Sequence, residues 1–336
     1  LQERLLAPGL LDLHAHGALG HDTMDATPEA LLSMARFYAR HGVTAFLATT
    51  MTAPGEQILA ALRNIAQVMV IGTGGAALLG AHVEGPYLDV ERRGCQDASQ
   101  VRHARVDEYP LFFETGVVRL ITVAPEYAEN EPLMRYAVEH GAVLAIGHSR
   151  ASYEEVCRAV DLGATMVTHL FNGMEPLHHR APGLVGAALT LEPLYCQLIA
   201  DNIHIHPAGL ALAVRAKGPE RIVLVTDAMS ATGMADGDYL LGNIAVTVKE
   251  GVSRTPDGVL AGSTLTMERA VANIAAATGL SFAAAWAMGS ATAAEALGLA
   301  DRKGAIAVGM GADLVALDAK GAVHLTMVGG EIVFQA

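Results

Sequence analysis

The sequence predicts an α/β fold, a (β/α)8 TIM barrel that carries a small β-sandwich-like domain built from the chain termini. Eight apolar, strand-like runs alternate with helical stretches between residues 10 and 228. Near-continuous apolar strands, each followed by a helix, indicate a parallel sheet covered on both faces, and eight such repeats match a barrel. Five of these runs end on metal-ligand or proton-transfer residues, which predicts one shared site at the mouth of the barrel.

The strands and the helices between them have recognisable limits. Residues 28–42 form an amphipathic segment that ends at Gly42 after a basic last turn, and residues 152–163 form another. A doubly wound sheet is the alternative, but it would gather ligands at one switch point and not from strands spread along the chain. The predicted barrel strands are 10–14, 44–50, 78–84, 118–125, 143–149, 166–171, 195–201 and 222–228.

The chain changes character after the eighth strand. Residues 238–260 alternate in short runs and predict a hairpin-like insertion, and the Ala-rich residues 263–299 predict helices. From residue 304 the pattern is again that of short strands separated by glycine turns, with too little core to fold alone. We therefore assign residues 8–303 to the barrel, and residues 1–7 with 304–336 to the small β domain.

Composition narrows the possible partners. The chain has 336 residues, 52% of them hydrophobic, yet no apolar run is long enough to cross a bilayer. A net charge of −13 argues against nucleic acid or an anionic membrane surface, but it permits a small anionic ligand. The absence of a signal-peptide pattern and the odd number of cysteines, 3, fit a protein of the reducing cytoplasm without a disulfide framework.

The first strand ends with two histidines, His14 and His16. Their spacing places both imidazoles on the same face of a strand, where they could share one cation. A pair of buried polar residues is the alternative for this motif by itself. The other strand ends favour ligation, because they supply Glu84, His148, His169 and Asp227 at the same mouth of the predicted barrel.

The later strand ends have the composition of a catalytic metal site. Glu84, His148 and His169 would give a divalent cation such as Zn²⁺ or Fe²⁺ three protein ligands and leave room for water. Each of the three, taken singly, could instead be an ordinary hydrogen-bonding group. Asp227 could ligate the metal or cap the following helix, but we favour a general base that accepts the proton of the attacking water.

The order of these residues resembles that of the amidohydrolase superfamily. The motifs PGLLDLHAHG (8–17), HVEGPYL (82–88), HLFNGM (169–174) and LVTDAM (224–229) resemble one branch in particular, the N-acetylglucosamine-6-phosphate deacetylases. This resemblance runs from about residue 7 to the end of the chain. It implies metal-dependent hydrolysis of N-acetylglucosamine 6-phosphate to glucosamine 6-phosphate and acetate, with one metal at Glu84, His148 and His169, a possible second at His14 and His16, and Asp227 as the acid and base.

The resemblance also implies a set of substrate-binding residues. An arginine suits a phosphate, although a surface salt bridge is the alternative for Arg180, and a structural role is the alternative for His204. Relatives commonly form dimers with the phosphate site near the subunit interface, which predicts a homodimer. The expected substrate contacts are Cys95, Gln96, Asn172, Gly173, Arg180, His204, Leu260, Ala261, Gly262 and Ser263.

Two departures from that family bear on the prediction. Cys95 and Gln96 stand where some relatives carry Ala and His, so the choice of sugar is open, and Cys95 could be either a reactive thiol or an inert one. Relatives also carry a longer segment before the first strand, so we expect the β tail to lack partner strands. The alternative functions are deacetylation of N-acetylgalactosamine 6-phosphate or another N-acyl substrate, and a binding scaffold without catalysis.

Overall fold

The computed structural model describes residues 4–336, which form a barrel, an inserted sheet, a terminal sheet and a short two-stranded sheet at residues 17–22. The strands, in chain order, are β1 (Leu5–Pro8), β2 (Leu10–Ala15), β3 (Gly17–Ala18), β4 (His21–Asp22), β5 (Val43–Thr50), β6 (Ala77–Glu84), β7 (Val118–Val123), β8 (Val143–Ile146), β9 (Ala164–Val167), β10 (Tyr195–Ile199), β11 (Ile222–Val225), β12 (Gly237–Leu241), β13 (Ile244–Lys249), β14 (Val252–Arg254), β15 (Leu314–Leu317), β16 (Val323–Val328) and β17 (Glu331–Gln335).

Ten α-helices lie within the same residues, together with short 3-10 turns at 23–25, 128–130 and 219–221. Among these described helices, none combines the length and the apolar character needed to span a bilayer. The helices are α1 (Pro28–Arg40), α2 (Gly55–Ile71), α3 (Tyr109–Glu114), α4 (Glu131–Glu139), α5 (Tyr153–Asp161), α6 (Gly183–Thr190), α7 (Pro207–Lys217), α8 (Met267–Thr278), α9 (Phe282–Met288) and α10 (Ala291–Ala296).

Eight parallel strands form the barrel, in the order β2-β5-β6-β7-β8-β9-β10-β11. The first and last strands close it, since the Asp227 N–H donates to the His14 carbonyl (2.9 Å) and Ala15 bridges Ala228 in parallel. The buried carboxylate of Asp12 adds to this seam by accepting a hydrogen bond from the Thr226 hydroxyl (2.5 Å). The predicted (β/α)8 barrel is confirmed, and each strand overlaps the range expected from its apolar run.

Local sequence signals set the ends of the helices. Helix α1 begins with Pro28 behind the N-cap Thr27 and stops at Arg40, two residues earlier than expected, because Gly42 takes a left-handed φ of 76°. Helix α5 begins with a capping box, in which the Ser152 and Glu155 side chains each bind the other residue's backbone N–H. Both predicted helices are therefore present, each slightly shorter than the sequence pattern.

The insertion after the eighth barrel strand is a three-stranded antiparallel sheet, β12-β13-β14. Its inward side chains pack on residues that follow the barrel strands, and so fix the sheet over the mouth of the barrel. The Asp22 carboxylate also accepts a hydrogen bond from the Gly242 N–H (3.0 Å). This separate apolar cluster consists of Met51, Met229, Ala231, Leu241, Val246, Val248 and Ala261.

Strands from both ends of the described chain form another antiparallel sheet, in the order β1-β15-β16-β17. We expected the tail to lack partners, yet β15 pairs with β1, from Leu5 opposite Leu317 to Pro8 opposite Leu314. The run at 5–8 is too short to be recognised as a strand without its partner. The domain limits 8–303 and 1–7 with 304–336 stay a prediction, and residues 1–3 lie outside the described part of the chain.

Two buried hydrogen bonds join this terminal sheet to the barrel. The Thr326 hydroxyl donates to the Ala39 carbonyl at the end of α1 (2.7 Å), and the Trp286 indole N–H donates to the Pro8 carbonyl (2.8 Å). Both side chains are almost fully buried. Each of these two hydrogen bonds therefore anchors the terminal sheet to a different helix, one to α1 and the other to α9.

We expect Thr326→Val to lower the free energy of unfolding by about 1 kcal/mol, because it removes a buried hydroxyl donor at nearly constant volume. Trp286, the single tryptophan of the chain, lies at the same junction and allows urea denaturation to be followed by fluorescence. Thr247→Val is the control, since its hydroxyl is exposed and donates to Asp238. Equal effects of the two substitutions would contradict the assigned role of Thr326.

Candidate active site

The barrel brings the predicted strand-end residues into one buried cluster. His14 lies on β2, Glu84 is the last residue of β6, and the others follow their strands by one or two residues. His148, His169 and Asp227 have positive φ angles of 48°, 27° and 52°. Such backbone costs on the order of 1–3 kcal/mol per residue outside glycine, and it persists where the surrounding structure imposes it. This strain at three of the strand ends marks the cluster as a functional site.

One group of potential ligands consists of Glu84, His148 and His169. Glu84 Oε1 lies 3.3 Å from His148 Nε2 and 3.1 Å from His169 Nε2, and the two Nε2 atoms are 3.0 Å apart. The three side chains are buried, and together they could hold a metal ion. They are the same three residues that the sequence predicts as metal ligands.

A second group consists of His14, His16 and Asp227. The two histidine Nε2 atoms are 3.2 Å apart, and Asp227 Oδ1 lies 3.3 Å from the first and 3.2 Å from the second. Glu84 stands between the groups, with Oε1 3.4 Å from His14 Nε2 and Oε2 3.3 Å from His16 Nε2. One carboxylate therefore contacts the histidines of both groups.

The spacing of the donor atoms fits a metal ion. Ligands at about 2.0–2.1 Å in a tetrahedron stand about 3.3 Å from one another. The donor atoms within the two groups are separated by 3.0–3.3 Å, although they belong to side chains from five different barrel strands and the loops after them. Imidazole nitrogen with carboxylate oxygen is also the donor set that Zn²⁺ and Fe²⁺ accept.

The charges of the cluster are also compatible with a metal ion. Burial disfavours the charged forms of Glu84 and Asp227, but His14 lowers the pKa of both carboxyls, that of Asp227 to about 2. Burial likewise opposes the charge of His16, but hydrogen bonds to Asp227 and Glu84 raise its pKa to about 10. Charged histidines thus balance two ionised carboxylates in a buried site, and bound cations would supply the same positive charge in their place.

Outer hydrogen bonds orient several of these ligands. His148 Nδ1 donates to the Arg92 carbonyl (2.8 Å), which leaves Nε2 for a metal. His14 Nδ1 lies 3.1 Å from Gln197 Oε1 and is fixed in the same way. Gln96 Nε2 donates to Glu84 Oε2 (2.9 Å), while its own oxygen accepts the Thr52 N–H (2.8 Å). Gln96 therefore restrains the carboxylate that stands between the two groups.

A cavity of about 360 Å³ opens above the cluster. Cys95 is among the residues that line it, and burial raises the pKa of its thiol, so Cys95 is neutral and unsuited to act as a nucleophile. Most of the residues predicted to contact substrate lie here. The cavity is lined by His16, Met51, Glu84, Gly94, Cys95, Gln96, His148, His169, Asn172, Gly173, His204, Asp227, Leu241, Arg254, Val259, Leu260 and Gly262.

Three predicted substrate contacts lie outside this lining. Arg180 is exposed on the loop after β9 and donates to His179 Nε2 (2.7 Å). Ala261 packs in the apolar cluster beneath the inserted sheet. Ser263 donates its hydroxyl to the Thr226 carbonyl (2.6 Å) and its N–H to the Asp227 carbonyl (2.7 Å). Ser263 therefore supports the backbone that carries Asp227.

The sequence did not identify several residues of the site. Arg254, in the turn RTPDG of the insertion, lines the cavity, as do Met51 and Leu241 from the apolar cluster. Gln197 supports His14 from the middle of an apolar strand. A lone polar residue in such a strand was the available signal for Gln197, but the position of Arg254 depends on how the insertion folds back over the barrel.

Comparison with known proteins identifies the class. Residues 5–333 match the model of the amidohydrolase family, and the chain belongs to that family. The chain is 43% identical to N-acetylglucosamine-6-phosphate deacetylase from Vibrio furnissii, over 98% of this chain and 83% of that protein. It is 40% identical to N-acetylgalactosamine-6-phosphate deacetylase from Escherichia coli O157:H7, over 94% of this chain and 84% of that protein.

Solved structures agree with this assignment. The crystal structure of N-acetylglucosamine-6-phosphate deacetylase from Thermotoga maritima superposes with a TM-score of 0.94 and 38% sequence identity. The match covers 99% of this chain and 90% of that one. The barrel and both added sheets thus belong to an amidohydrolase, a metal-dependent hydrolase class.

Gly173 permits the contact that orients His148. A Cβ atom at Gly173 would lie 2.8 Å from His148 Nδ1 and 3.0 Å from the Arg92 carbonyl oxygen. We expect Gly173→Ala to disrupt their hydrogen bond and weaken zinc binding roughly tenfold to a hundredfold, as loss of a ligand's outer partner does. Zinc affinity is measured by competition with a chelator.

Gly116→Ala is the matched control for this prediction. Gly116 also has a positive φ, 73° against 62° at Gly173, but a Cβ there would meet nothing within 4 Å. Both variants should lose some stability to backbone strain, and only Gly173→Ala should lose zinc affinity. Equal zinc affinities in the two variants would show that the contact with His148 is unimportant.

Proposed function

We propose that this protein hydrolyses the acetamide of N-acetylglucosamine 6-phosphate and releases acetate and glucosamine 6-phosphate. The observation that carries the proposal is the convergence of Glu84, His148 and His169 with Asp227 at one cavity. A metal-ligand set beside a charged carboxylate is suited to the hydrolysis of an amide. The relatives support this substrate class, because they deacetylate 6-phosphorylated amino sugars.

Asp227 carries the proton transfers of this reaction. Glu84, His148 and His169 would hold a divalent cation, which would supply the Lewis acidity needed to activate water and polarise the acetyl carbonyl. Asp227 is ionised at neutral pH, since its pKa is about 2, and it accepts a proton from the attacking water. It then donates that proton to the amide nitrogen as the C–N bond breaks, so that the amine leaves uncharged. His14 and His16 hold the Asp227 carboxylate in place through Oδ1.

We propose Zn²⁺ or Fe²⁺ as the metal, with two ions per chain. Glu84, His148 and His169 would hold one ion, and His14, His16 and Asp227 a second. Glu84 contacts the histidines of both groups, so its carboxylate would stand beside either ion.

The direct test is an acetate-release assay on N-acetylglucosamine 6-phosphate with purified protein, paired with metal analysis. We expect Asp227→Asn to lower kcat by roughly a hundredfold to ten-thousandfold, the usual contribution of a general acid and base. The variant should keep metal at Glu84, His148 and His169. Turnover by metal-free protein, or full activity of Asp227→Asn, would refute the assigned roles.

N-acetylgalactosamine 6-phosphate is the second candidate substrate. Identity to the E. coli galactosamine enzyme, 40%, is close to that for the V. furnissii enzyme, 43%. Cys95 and Gln96 line the cavity at the positions where the sequence departs from some relatives, so they are suited to affect the choice of epimer. The ratio of kcat/KM for the two phosphorylated sugars decides between them, and a ratio that favours galactosamine would replace our first choice.

We further propose a homodimer in which Arg180 contacts the substrate in the active site of the partner subunit. Arg180 lies outside the cavity of its own chain, beside an open apolar groove that includes the exposed Leu177 and Leu212. An exposed apolar groove next to an arginine is suited to a subunit interface. The cytoplasmic localisation expected from the sequence stays a prediction.

Mixed subunits test the role of Arg180. Arg180→Met and Asp227→Asn should each be impaired alone, and a mixture refolded or co-expressed together should regain activity. Mixed dimers contain one site with an intact Asp227 and a partner's intact arginine, as expected for a symmetric dimer. A mixture no more active than the sum of its components, or a monomer in solution, would contradict the proposal.

A further inference from the structure

A histidine that the proposed reaction does not use lies inside the barrel. His82 on β6 is fully buried, and it precedes Glu84 by two residues, so both side chains point to the same face of the strand. Its ring centroid lies 4.6 Å from that of His14, with the two ring planes at 85°. Because β5 separates the strands of these two histidines, their rings can meet only in the barrel interior. His82 therefore lies beneath the metal cluster.

Both ring nitrogens of His82 face threonine hydroxyls. Nε2 lies 2.7 Å from Thr122 Oγ1 on β7, and Nδ1 lies 3.4 Å from Thr49 Oγ1 on β5. A neutral imidazole has one donor and one acceptor nitrogen, and a hydroxyl can act in either role. Both contacts can therefore be hydrogen bonds at the same time, whichever nitrogen carries the proton. The ring of His82 thus joins its own strand to the strand on each side.

Thr49 extends this connection to the first barrel strand. Its hydroxyl oxygen also accepts the Ala15 N–H (3.0 Å). Ala15 lies between His14 and His16 in the chain, so this hydrogen bond fixes the backbone that carries both imidazoles. His82 is therefore linked through one hydroxyl to the second group of potential ligands.

Thr122 extends the connection in the other direction. Its Oγ1 lies 2.8 Å from Thr168 Oγ1, and Thr168 is the residue before His169. Gly147 permits this contact across β8, because a Cβ atom there would lie 2.9 Å from Thr122 Cγ2 and 2.7 Å from Thr168 Cβ. His82 is therefore linked through two hydroxyls to the first group of potential ligands.

These buried side chains form a polar layer beneath the metal ligands. The interior of a (β/α)8 barrel is filled by layers of side chains in which bulky branched apolar residues dominate. A polar layer in that place loses its hydration, and only complete hydrogen bonding offsets the loss. In return, hydrogen bonds give the layer a fixed geometry, which apolar contacts do not. The polar layer consists of Thr49, His82, Thr122 and Thr168, none of which has exposed surface.

We propose that His82 is a positioning residue, which fixes the two groups of metal ligands relative to each other through the polar layer. It is not among the residues that line the cavity, so it acts through other residues and not on the substrate. Thr49 connects it to the histidines of the first strand, and Thr122 connects it to the segment of His169. The inference rests on the proposed metal site and not on the identity of the substrate.

The test measures zinc affinity by competition with a chelator. His82→Leu removes both hydrogen bonds, and we expect it to weaken zinc binding roughly tenfold, the lower end of the usual effect of losing a supporting residue. Thr122→Val removes one hydroxyl of the same layer at nearly constant volume and should also weaken binding, so the test does not depend on the folding of His82→Leu. His82→Gln should recover part of the affinity, because an amide also offers a donor and an acceptor.

The double variant shows whether the two residues act together. If His82 and Thr122 act through one hydrogen-bonded layer, the double variant His82→Leu/Thr122→Val should bind zinc about as weakly as His82→Leu alone. Thr44→Val is the matched control, since Thr44 is also buried on β5 but donates to the Leu10 carbonyl (3.3 Å) at the start of its strand. It should lower the free energy of unfolding in urea and keep the zinc affinity of wild type.

Unchanged zinc affinity in both His82→Leu and Thr122→Val, with zinc bound by wild type, would overturn this inference alone. Losses of affinity that multiply in the double variant would also overturn it, as would an equal loss in Thr44→Val, because either result would indicate a general loss of packing. Wild type that binds no zinc would instead refute the proposed metal site, and this inference with it.

Discussion

The organisation of this protein follows from one electrostatic constraint. The carboxylates of Glu84 and Asp227 are buried among four imidazoles, and both stay ionised because positive charge is placed beside them. An isolated carboxylate in such a place would take up a proton instead. Protonated histidines supply that positive charge, and a metal ion bound by the same side chains would take the place of their protons. The charge balance that keeps the two carboxylates ionised therefore also suits the cluster to a cation.

Hydrogen bonds from the surrounding barrel hold the side chains of this cluster in place. Glu84 is held by Gln96, and Gln96 is held by the backbone of Thr52 after the neighbouring strand. His148 is held by a loop carbonyl, and the backbone of Asp227 is held by Ser263 beyond the inserted sheet. These supports come from segments far apart in the sequence, so the strained backbone at the strand ends is maintained by the whole barrel mouth.

Much of the barrel and of the metal cluster could be predicted from the sequence, for a physical reason. Buried parallel strands have to be continuously apolar, so the runs that carry His148 and Asp227 are visible without a structure. A polar residue that interrupts or ends such a run is also visible, which identified the metal cluster. Contacts made by backbone atoms, such as the Arg92 carbonyl, leave no trace in the side-chain pattern.

The predicted substrate contacts that lie outside the cavity lining have the same explanation. Arg180 and Ser263 are polar residues near the expected site, but their side chains face away from the cavity of their own chain, and the sequence does not give their direction. Arg254 lies in an ordinary turn sequence, and its place above the barrel depends on the packing of the inserted sheet. Long-range packing decided each of these cases, and local sequence does not encode it by itself.

The pairing of β1 with β15 has a consequence for how the molecule is made. Leu5 lies opposite Leu317, so the hydrogen bonds between β1 and β15 join segments that are far apart in the sequence. Contacts between such distant segments carry a large loop-closure cost and form slowly. During synthesis the barrel strands can assemble as they emerge, whereas the pairing of β1 with β15 has to follow the synthesis of β15. The terminal sheet is therefore completed late, and a chain interrupted before β15 would leave the edge of β1 that faces β15 without its hydrogen bonds.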